Sequence, residues 1–436
     1  MITARAARIV AFVFSSLVVL AVVAVGCGSS GGNGGSPTKD AGGSAAATPD
    51  SGGTIASEAG GGTNGDAGTT TGEDGGSGTL EPGPDASVSA FNQTLICFGA
   101  ADGGAPCSRT VDDQVTFPTD GTFSKISMQV SLNCPTTTGG CDNWDRVGSI
   151  DLVTKGALTD AGQEETLTEL GRFVTPFGIN PSLPAQYASY ENQPPVWNID
   201  VTELRPLLSG QVTLRAFIDT WSPQGDPTDN GAGWLITVNF LMTGGTPAKI
   251  PVAVLPIWTW TTTGHEPTSI PFGDPTQPIP SSVPPQTLQL PAGATSFGIR
   301  TNITGHGQAN LDNCAEFCSQ DHTWTVGTTA NTQAIWRTDC MSFPSLGSYM
   351  YSRGGWCPGA DVVPWDIDVS KEVDAGASTT FSYDVEAYTN TCNGLSDGGG
   401  LCSGCPVETP PIPCQYNGGS HTPPIYYVSA LLIAFK

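Results

Sequence analysis

The sequence predicts an all-β protein, two antiparallel β-sandwiches carried on a disordered tether. Three observations lead there. Charged residues make up only 13% of the 436, too few for coiled coils or long solvated helices. From Ser89 onward, short runs of Val, Ile, Thr and aromatic residues are bounded by Gly, Pro, Asn and Asp, the pattern of strands and tight turns. The 348 residues from 89 to 436 exceed a usual single sandwich and suit two domains of about 160–190 residues.

The chain opens with an export signal. Arg5 and Arg8 form a short basic region, and Ile9 to Val25 is apolar apart from Ser15 and Ser16. The run ends in Ala24-Val25-Gly26-Cys27, small residues at a cleavage position, so residues 1–26 read as a signal peptide rather than a spanning helix. A cysteine directly after that site resembles a bacterial lipobox, which makes Cys27 the lipidated N-terminus of the mature chain. Residues 27–88 are then a tether of Gly, Ser, Thr, Ala, Asp and Pro that cannot bury enough surface to offset its chain entropy. Its Gly-rich length spans roughly 43 Å r.m.s., enough to hold a folded head clear of a membrane. Asp40, Asp50, Glu58 and Asp66 keep it solvated.

In the folded part, the expected strands are Val115–Phe117, Phe123–Leu132, Ser149–Leu152, Gln211–Phe217, Trp234–Met242, Ile250–Ile257, Thr287–Leu290, Thr295–Ile303, Thr380–Tyr388 and Ile425–Phe435. Within Phe123–Leu132, Ile126, Met128, Val130 and Leu132 alternate with Lys125, Ser127, Gln129 and Ser131, so one face points inward. Val201–Leu208 and Glu164–Leu170 read as short helices. The break between sandwiches falls at Gly244-Gly245-Thr246-Pro247, which gives domains of 89–246 and 247–436.

Composition narrows the function. Asp+Glu 40 against Lys+Arg 16 gives a net charge of −24, the wrong sign for nucleic acid. Four His and five Met are too few for a multi-copper or haem enzyme; with no His-x-His pair and no Met near a His, a copper monooxygenase fails on ligand count. No metal or other cofactor is expected, and His322 and His421 read as structural. Thirteen cysteines suit an oxidising compartment, and setting Cys27 aside leaves an even number for pairing. Cys314-x3-Cys318 and Cys402-x2-Cys405 read as disulfide-stapled loops rather than halves of metal sites.

Three clusters stand out, each beside cysteines: Cys141-Asp142-Asn143-Trp144-Asp145-Arg146, Cys314-Ala315-Glu316-Phe317-Cys318 and Arg353-Gly354-Gly355-Trp356-Cys357-Pro358-Gly359. In this order they resemble the bacterial peptide-N-glycosidase F family. Intervening segments match as well: Thr116-Phe117-Pro118, Gly171-Arg172-Phe173-Val174-Thr175-Pro176, Ile199-Asp200-Val201-Thr202, Leu207-Leu208-Ser209-Gly210, Thr220-Trp221 and Phe381-Ser382-Tyr383. The resemblance implies two jelly-roll sandwiches packed side by side. It implies a glycoamidase that hydrolyses the amide between the GlcNAc of an N-linked glycan and asparagine, converting Asn to Asp. N-glycosylated proteins or glycopeptides are then the substrates. The expected protein is a monomer, anchored through Cys27 at the outer membrane or cell surface.

The resemblance also assigns residues. Asp145 is the principal catalytic carboxylate and Glu316 its partner across the domain interface, with Asp219 a third acid. Such a pair suits the chemistry, because one carboxyl activates water while another manages the leaving group's proton. Arg146 and Arg353 are expected to hydrogen-bond sugar oxygens or orient Glu316. Trp144, Trp221, His306 and Trp356 are expected to contact sugar or wall the cleft. Disulfides Cys134–Cys141, Cys314–Cys318 and Cys340–Cys357 are implied by the family pattern, and Cys97–Cys107 is expected as a fourth. Cys392, Cys402, Cys405 and Cys414 form two more, in any of three connectivities.

Two departures bear on activity. The family's third acid is a Glu, and Asp219 retracts that carboxyl by one methylene, about 1.5 Å, a displacement on the scale that costs on the order of 10²-fold in rate. Where the family carries a Trp between glycines, Gly305-His306-Gly307-Gln308 places an imidazole. The competing reading is therefore a catalytically weakened glycan-binding surface protein on the same scaffold.

Overall fold

The computed structural model describes residues 81–99, 107–135, 140–159, 162–177, 196–221, 233–262, 267–268, 271–272, 283–306, 315–343, 351–386 and 425–436. The signal peptide, Cys27, most of the tether, Cys314, Gly307, Gln308 and the four cysteines from Cys392 to Cys414 lie outside them.

The first sandwich is built from β1 (Ala86–Cys97), β2 (Thr110–Phe117), β3 (Phe123–Asn133), β4 (Val147–Thr159), β5 (Gly162–Val174), β6 (Val196–Asp200), β7 (Gly210–Ile218) and β8 (Gly233–Gly244). The second uses β9 (Pro251–Trp258), β12 (Pro271–Phe272), β13 (Gln286–Gln289), β14 (Ser296–His306), β15 (Gln320–Val326), β16 (Thr329–Ile335), β17 (Trp365–Asp368), β18 (Ser378–Val385) and β19 (Ile425–Phe435). Between β9 and β12, β10 (Trp260–Thr262) and β11 (Pro267–Thr268) return to the first sandwich, where β10 pairs with β5. Sheet orders are β1-β8-β3-β6 facing β11-β10-β5-β4-β7-β2, and β12-β19-β14-β17 with β9 on β19, facing β13-β18-β15-β16. Among the described residues every strand ladder is antiparallel.

Two expectations change. Glu164–Leu170 is not a helix but the middle of β5, between β4 and β10. Its Glu and Leu residues favour helix locally, yet pairing on both edges and burial of Leu167, Thr168, Glu169 and Leu170 decide for strand. The tether also ends sooner than residue 88. Pro82 bridges Thr122, Gly83 N–H donates to the Thr122 carbonyl at 2.9 Å, and β1 starts at Ala86. The other expected helix is present as a single 3-10 segment, Thr202–Leu207.

Each core arises from period-two alternation. Ile126, Met128, Val130 and Leu132 on β3, with Trp234, Ile236, Val238 and Phe240 on β8, pack against Phe117, Ile150, Leu214 and Ala216 of the facing sheet. Phe117 and Phe240 meet edge to face at 5.0 Å across that gap. In the second core, Trp324 stacks on Trp258 at 4.8 Å, and its indole N–H donates to Thr301 Oγ1 at 3.0 Å. β19 belongs to both cores. Leu431, Ile433 and Phe435 enter the first, while Ala430, Leu432 and Ala434 enter the second. A strand buried on both faces must be apolar throughout, which explains the unbroken run Ala430-Leu431-Leu432-Ile433-Ala434-Phe435. The two sandwiches accordingly form one compact unit.

Ile433 is 1% exposed, so Ile433→Ala should lower stability by about 2–5 kcal/mol. Because the strand is shared, thermal unfolding followed by circular dichroism should move as a single transition; two separated transitions would show that the sandwiches unfold independently.

Candidate active site

The loop from β3 to β4 carries the first cluster. The Cys134–Cys141 disulfide, with Cα atoms 4.5 Å apart, closes the loop at its start. Asp142, wholly buried, organises the turn through Arg146. Its Oδ1 accepts the Trp144 N–H at 3.0 Å, and its Oδ2 accepts Arg146 Nε at 2.8 Å and Thr220 Oγ1 at 2.6 Å. Thr175 clamps the other side: its hydroxyl donates to the Trp144 carbonyl at 2.8 Å and accepts the Arg146 N–H at 2.7 Å. Asp145 sits between these fixed points and is half-buried. Burial pushes its pKa up to about 6, opposed chiefly by the Arg353 guanidinium and less by Arg146, with Asp142 adding a further push upward.

The second sandwich supplies the partner acid. Glu316 is buried and its Oε1 accepts Arg353 Nε at 3.1 Å. Its backbone carbonyl accepts the Gly354 N–H at 2.7 Å. Glycine is required beneath this turn, because a Cβ on Gly305 or Gly354 would overlap the Ala315 carbonyl oxygen. Cys318 is disulfide-bonded, next to the acid it helps hold. Arg353 is 2% exposed, donates Nη1 to the Tyr351 carbonyl at 2.9 Å, and lies over the rings of Phe317 and Trp356 at 5.1 and 4.9 Å. One buried guanidinium thus holds Glu316 and lowers Asp145, drawing acids 171 positions apart in the chain into one electrostatic unit.

Asp219 lies just past the end of β7. Its N–H donates to the Val147 carbonyl at 2.9 Å, and its Oδ1 accepts Arg109 Nη1 at 2.8 Å. Burial raises its pKa, while Arg109, Arg146 and a hydrogen bond from Trp221 hold it down. Arg146 therefore acts on both Asp145 and Asp219.

The remaining residues sort differently from expectation. Arg146 turns its Nε to Asp142 rather than to Glu316. Trp356 is buried at 3% exposure, donates its indole N–H to the Gly305 carbonyl at 2.6 Å and stacks on His306 at 5.1 Å; it is a wall behind the acids. His306 shares a hydrogen bond of 2.7 Å with Thr304 Oγ1. Burial, reinforced by Arg172 and Arg353, drives its pKa down to about 3, so the imidazole is neutral near neutral pH. Trp144 and Trp221, 37% and 50% exposed, present open ring surface. The disulfides Cys97–Cys107 and Cys340–Cys357 are formed. Sequence reasoning passed over Asp142, Arg109 and Thr175. Asp142 stood inside the first cluster, and its spacing to the Trp144 N–H is that of an Asx turn; nothing local marks Arg109.

The molecule is thus a two-sandwich protein in which one buried arginine of the second half binds Glu316 and acts electrostatically on Asp145 of the first. Family models agree with it: the chain matches "Peptide-N-glycosidase F, N terminal" over residues 87–229 and "Peptide-N-glycosidase F, C terminal" over 279–410. The chain belongs to the peptide-N-glycosidase F family of amide hydrolases. It is 29% identical over 316 residues to the peptide-N(4)-(N-acetyl-beta-D-glucosaminyl)asparagine amidase F of Elizabethkingia miricola, covering 70% of this chain and 78% of that one. A crystal structure of peptide-N(4)-(N-acetyl-beta-D-glucosaminyl)asparagine amidase shares the fold at a TM-score of 0.57 and 24% identity, covering 81% of this chain and 96% of that one. The PNGase F structure from Flavobacterium meningosepticum gives 0.56 and 23%, with the same coverage.

Asp142→Ala would leave Arg146, Thr220 and the Trp144 N–H without their acceptor. Removing one partner of such a buried pair should destabilise the chain by about 3–5 kcal/mol, measurable by urea denaturation.

Proposed function

We propose that this chain is a glycoamidase that cleaves the bond between an N-linked glycan's innermost GlcNAc and asparagine, releasing a glycosylamine and leaving aspartate. The observation that carries this reading is the unlike pair of acids on Arg353. Asp145, with its pKa near 6, is ionised at neutral pH and basic enough to take a proton from water. The water's oxygen bonds to the side-chain carbonyl carbon, and the tetrahedral adduct collapses with cleavage of the C–N bond as the nitrogen takes up a proton. Glu316, held by Arg353, is the second carboxyl of the pair, assigned to the departing nitrogen's proton. Trp144 and Trp221 offer apolar ring faces to sugar C–H surfaces, and Asp219 accepts hydroxyl hydrogen bonds. The competing reading, glycan binding without turnover, is favoured by the retracted Asp219 carboxyl. Incubating the protein with an N-glycopeptide in ¹⁸O-water separates the two. Mass spectrometry should find the deglycosylated peptide with one label in the new aspartate; binding with no released peptide would decide for the alternative.

Asp145→Asn keeps the shape and removes the base, so turnover should vanish. The raised pKa means that the folded chain holds this proton more tightly than the unfolded one. Stability is therefore lost as pH rises from about 4 to about 6 and stays lower at pH 7. The Asn variant should melt higher than the parent at pH 7 but not at pH 4. In the parent, kcat/KM should rise with pH through about 6; a flat profile from pH 5 to 8 would remove Asp145 as the base.

We also propose export, with lipid attachment at Cys27, so that the enzyme works as a monomer at the bacterial outer membrane or cell surface on glycoproteins from outside. The disulfides support an oxidising compartment. Metabolic labelling with a palmitate analogue should mark the parent and not Cys27→Ala; equal labelling of both would exclude this anchor.

A further inference from the structure

Arg109 lies outside the carboxylate set that the sequence marks, yet it holds one member of that set, Asp219. Its backbone is fixed from two sides: the Ile218 N–H donates to the Arg109 carbonyl at 3.1 Å, and the Cys97 N–H donates to the neighbouring Ser108 carbonyl at 3.0 Å. The Cys97–Cys107 disulfide, with Cα atoms 5.0 Å apart, staples the segment to the end of β1. From that frame the guanidinium, 7% exposed, reaches Asp219 Oδ1 at 2.8 Å. It lies 3.7 Å from the centroid of the Trp221 ring and 5.7 Å from that of Phe98, and the two rings are 5.1 Å apart.

This arrangement is costly for a merely structural contact. A buried ion pair gains little over a well-packed apolar pair, and Trp221 remains 50% exposed with a guanidinium covering part of it. What the contact does achieve is rigidity: it fixes an open indole surface and a carboxylate, 35% exposed, in one relative orientation. That pairing of flat apolar ring and acceptor oxygen is what a pyranose presents a partner for, C–H face on one side and hydroxyls at the edge.

We infer that Arg109 is a positioning residue for substrate, holding Asp219 and Trp221 as a single sugar-binding surface and compensating for the shorter reach of Asp219. The assignment rests on the glycoamidase reading for its kinetic consequences, and on sugar binding alone for its affinity consequences. Three groups set the electrostatics at Asp219: Arg109 and Arg146, both cationic, and the Trp221 hydrogen bond.

The test compares Arg109→Gln and Arg109→Lys with the parent on an N-glycopeptide, and measures affinity for N,N′-diacetylchitobiose by calorimetry. Arg109→Gln should lower kcat/KM by about ten- to a hundredfold, on the scale of losing a charged hydrogen bond, with most of the change in KM. Arg109→Lys, which keeps the charge but not the flat stack, should recover only part of it. Chitobiose affinity should fall in the same order. Arg109→Gln and Asp219→Asn should combine non-additively. A folded Arg109→Gln protein with kcat/KM and chitobiose affinity within about twofold of the parent, or effects that simply multiply with Asp219→Asn, would overturn the assignment. If Arg109→Gln does not fold, Asp219→Asn and Trp221→Leu each remove one arm of the contact, and unchanged KM in both overturns it equally. A parent that binds chitobiose without cleaving the glycopeptide sinks the amidase reading and leaves Arg109 to be judged on affinity. A parent that does neither overturns both.

Discussion

The packing of the two sandwiches on each other rests on the burial of β19 on both faces. Its odd-numbered residues from Leu431 to Phe435 complete the core of the first sandwich and its even-numbered ones the core of the second, so the two sheets on either side cannot slide without exposing one set. A polar seam runs beside this apolar one. Arg172 of β5 holds Glu169 through two contacts of 2.7 and 2.8 Å and reaches across to Thr304 Oγ1 and the Tyr427 carbonyl, both at 2.8 Å. Ser429 of β19 donates to the same Glu169. Asp151, beside Glu169, has its pKa raised by burial and by that neighbour's charge. Such a network adds little net stability, but its geometry admits few alternatives, so it fixes the register that apolar packing alone leaves looser.

That register matters because the acids come from different sandwiches. The seam leads from Arg172 through Thr304 to His306, and from His306 by stacking to Trp356, which lies under Arg353. Arg353 in turn sets the charge felt by Asp145 and the orientation of Glu316. Placing a cation beside a buried and a half-buried acid lets Asp145 ionise near neutral pH while desolvation keeps it basic. Neither sandwich alone contains that combination.

His306 shows how a titratable ring is accommodated beside two guanidiniums. Its imidazole lies half-buried against Trp356 and Tyr427, with ring centroids 5.1 and 5.0 Å away. Its strongly lowered pKa keeps it uncharged next to Arg353 and Arg172, so it adds no positive charge beside those two guanidiniums. Asp219 shows the opposite case. It stays paired with Arg109, which sits in a segment stapled by its own disulfide.

Some of this was legible in the residues themselves. Alternation identified β3, short runs rich in Val, Ile, Thr and aromatic residues marked β8 and β19, and cysteines beside each cluster marked loops that must be held still. Those signals are local, because strand period, turn chemistry and disulfide spacing act over a few residues. What local signals missed is equally particular. The Glu-rich stretch before Leu170 has helical preference, and only its neighbours on both edges make it β5. The hairpin of β15 and β16, turning at Gly327 with φ of 59°, is too polar to announce itself. Trp356 and Trp221 look alike in sequence, yet one is sealed behind the acids and the other half open. Arg146 and Arg353 looked interchangeable as partners for Glu316, and Arg109 carried no mark at all. The order of residues was enough to say which side chains could do the chemistry and which strands could bear them. Which guanidinium faces which carboxylate was settled by packing: Arg353 meets Glu316 across 37 positions and Arg109 meets Asp219 across 110, separations over which strand period and turn chemistry carry no information.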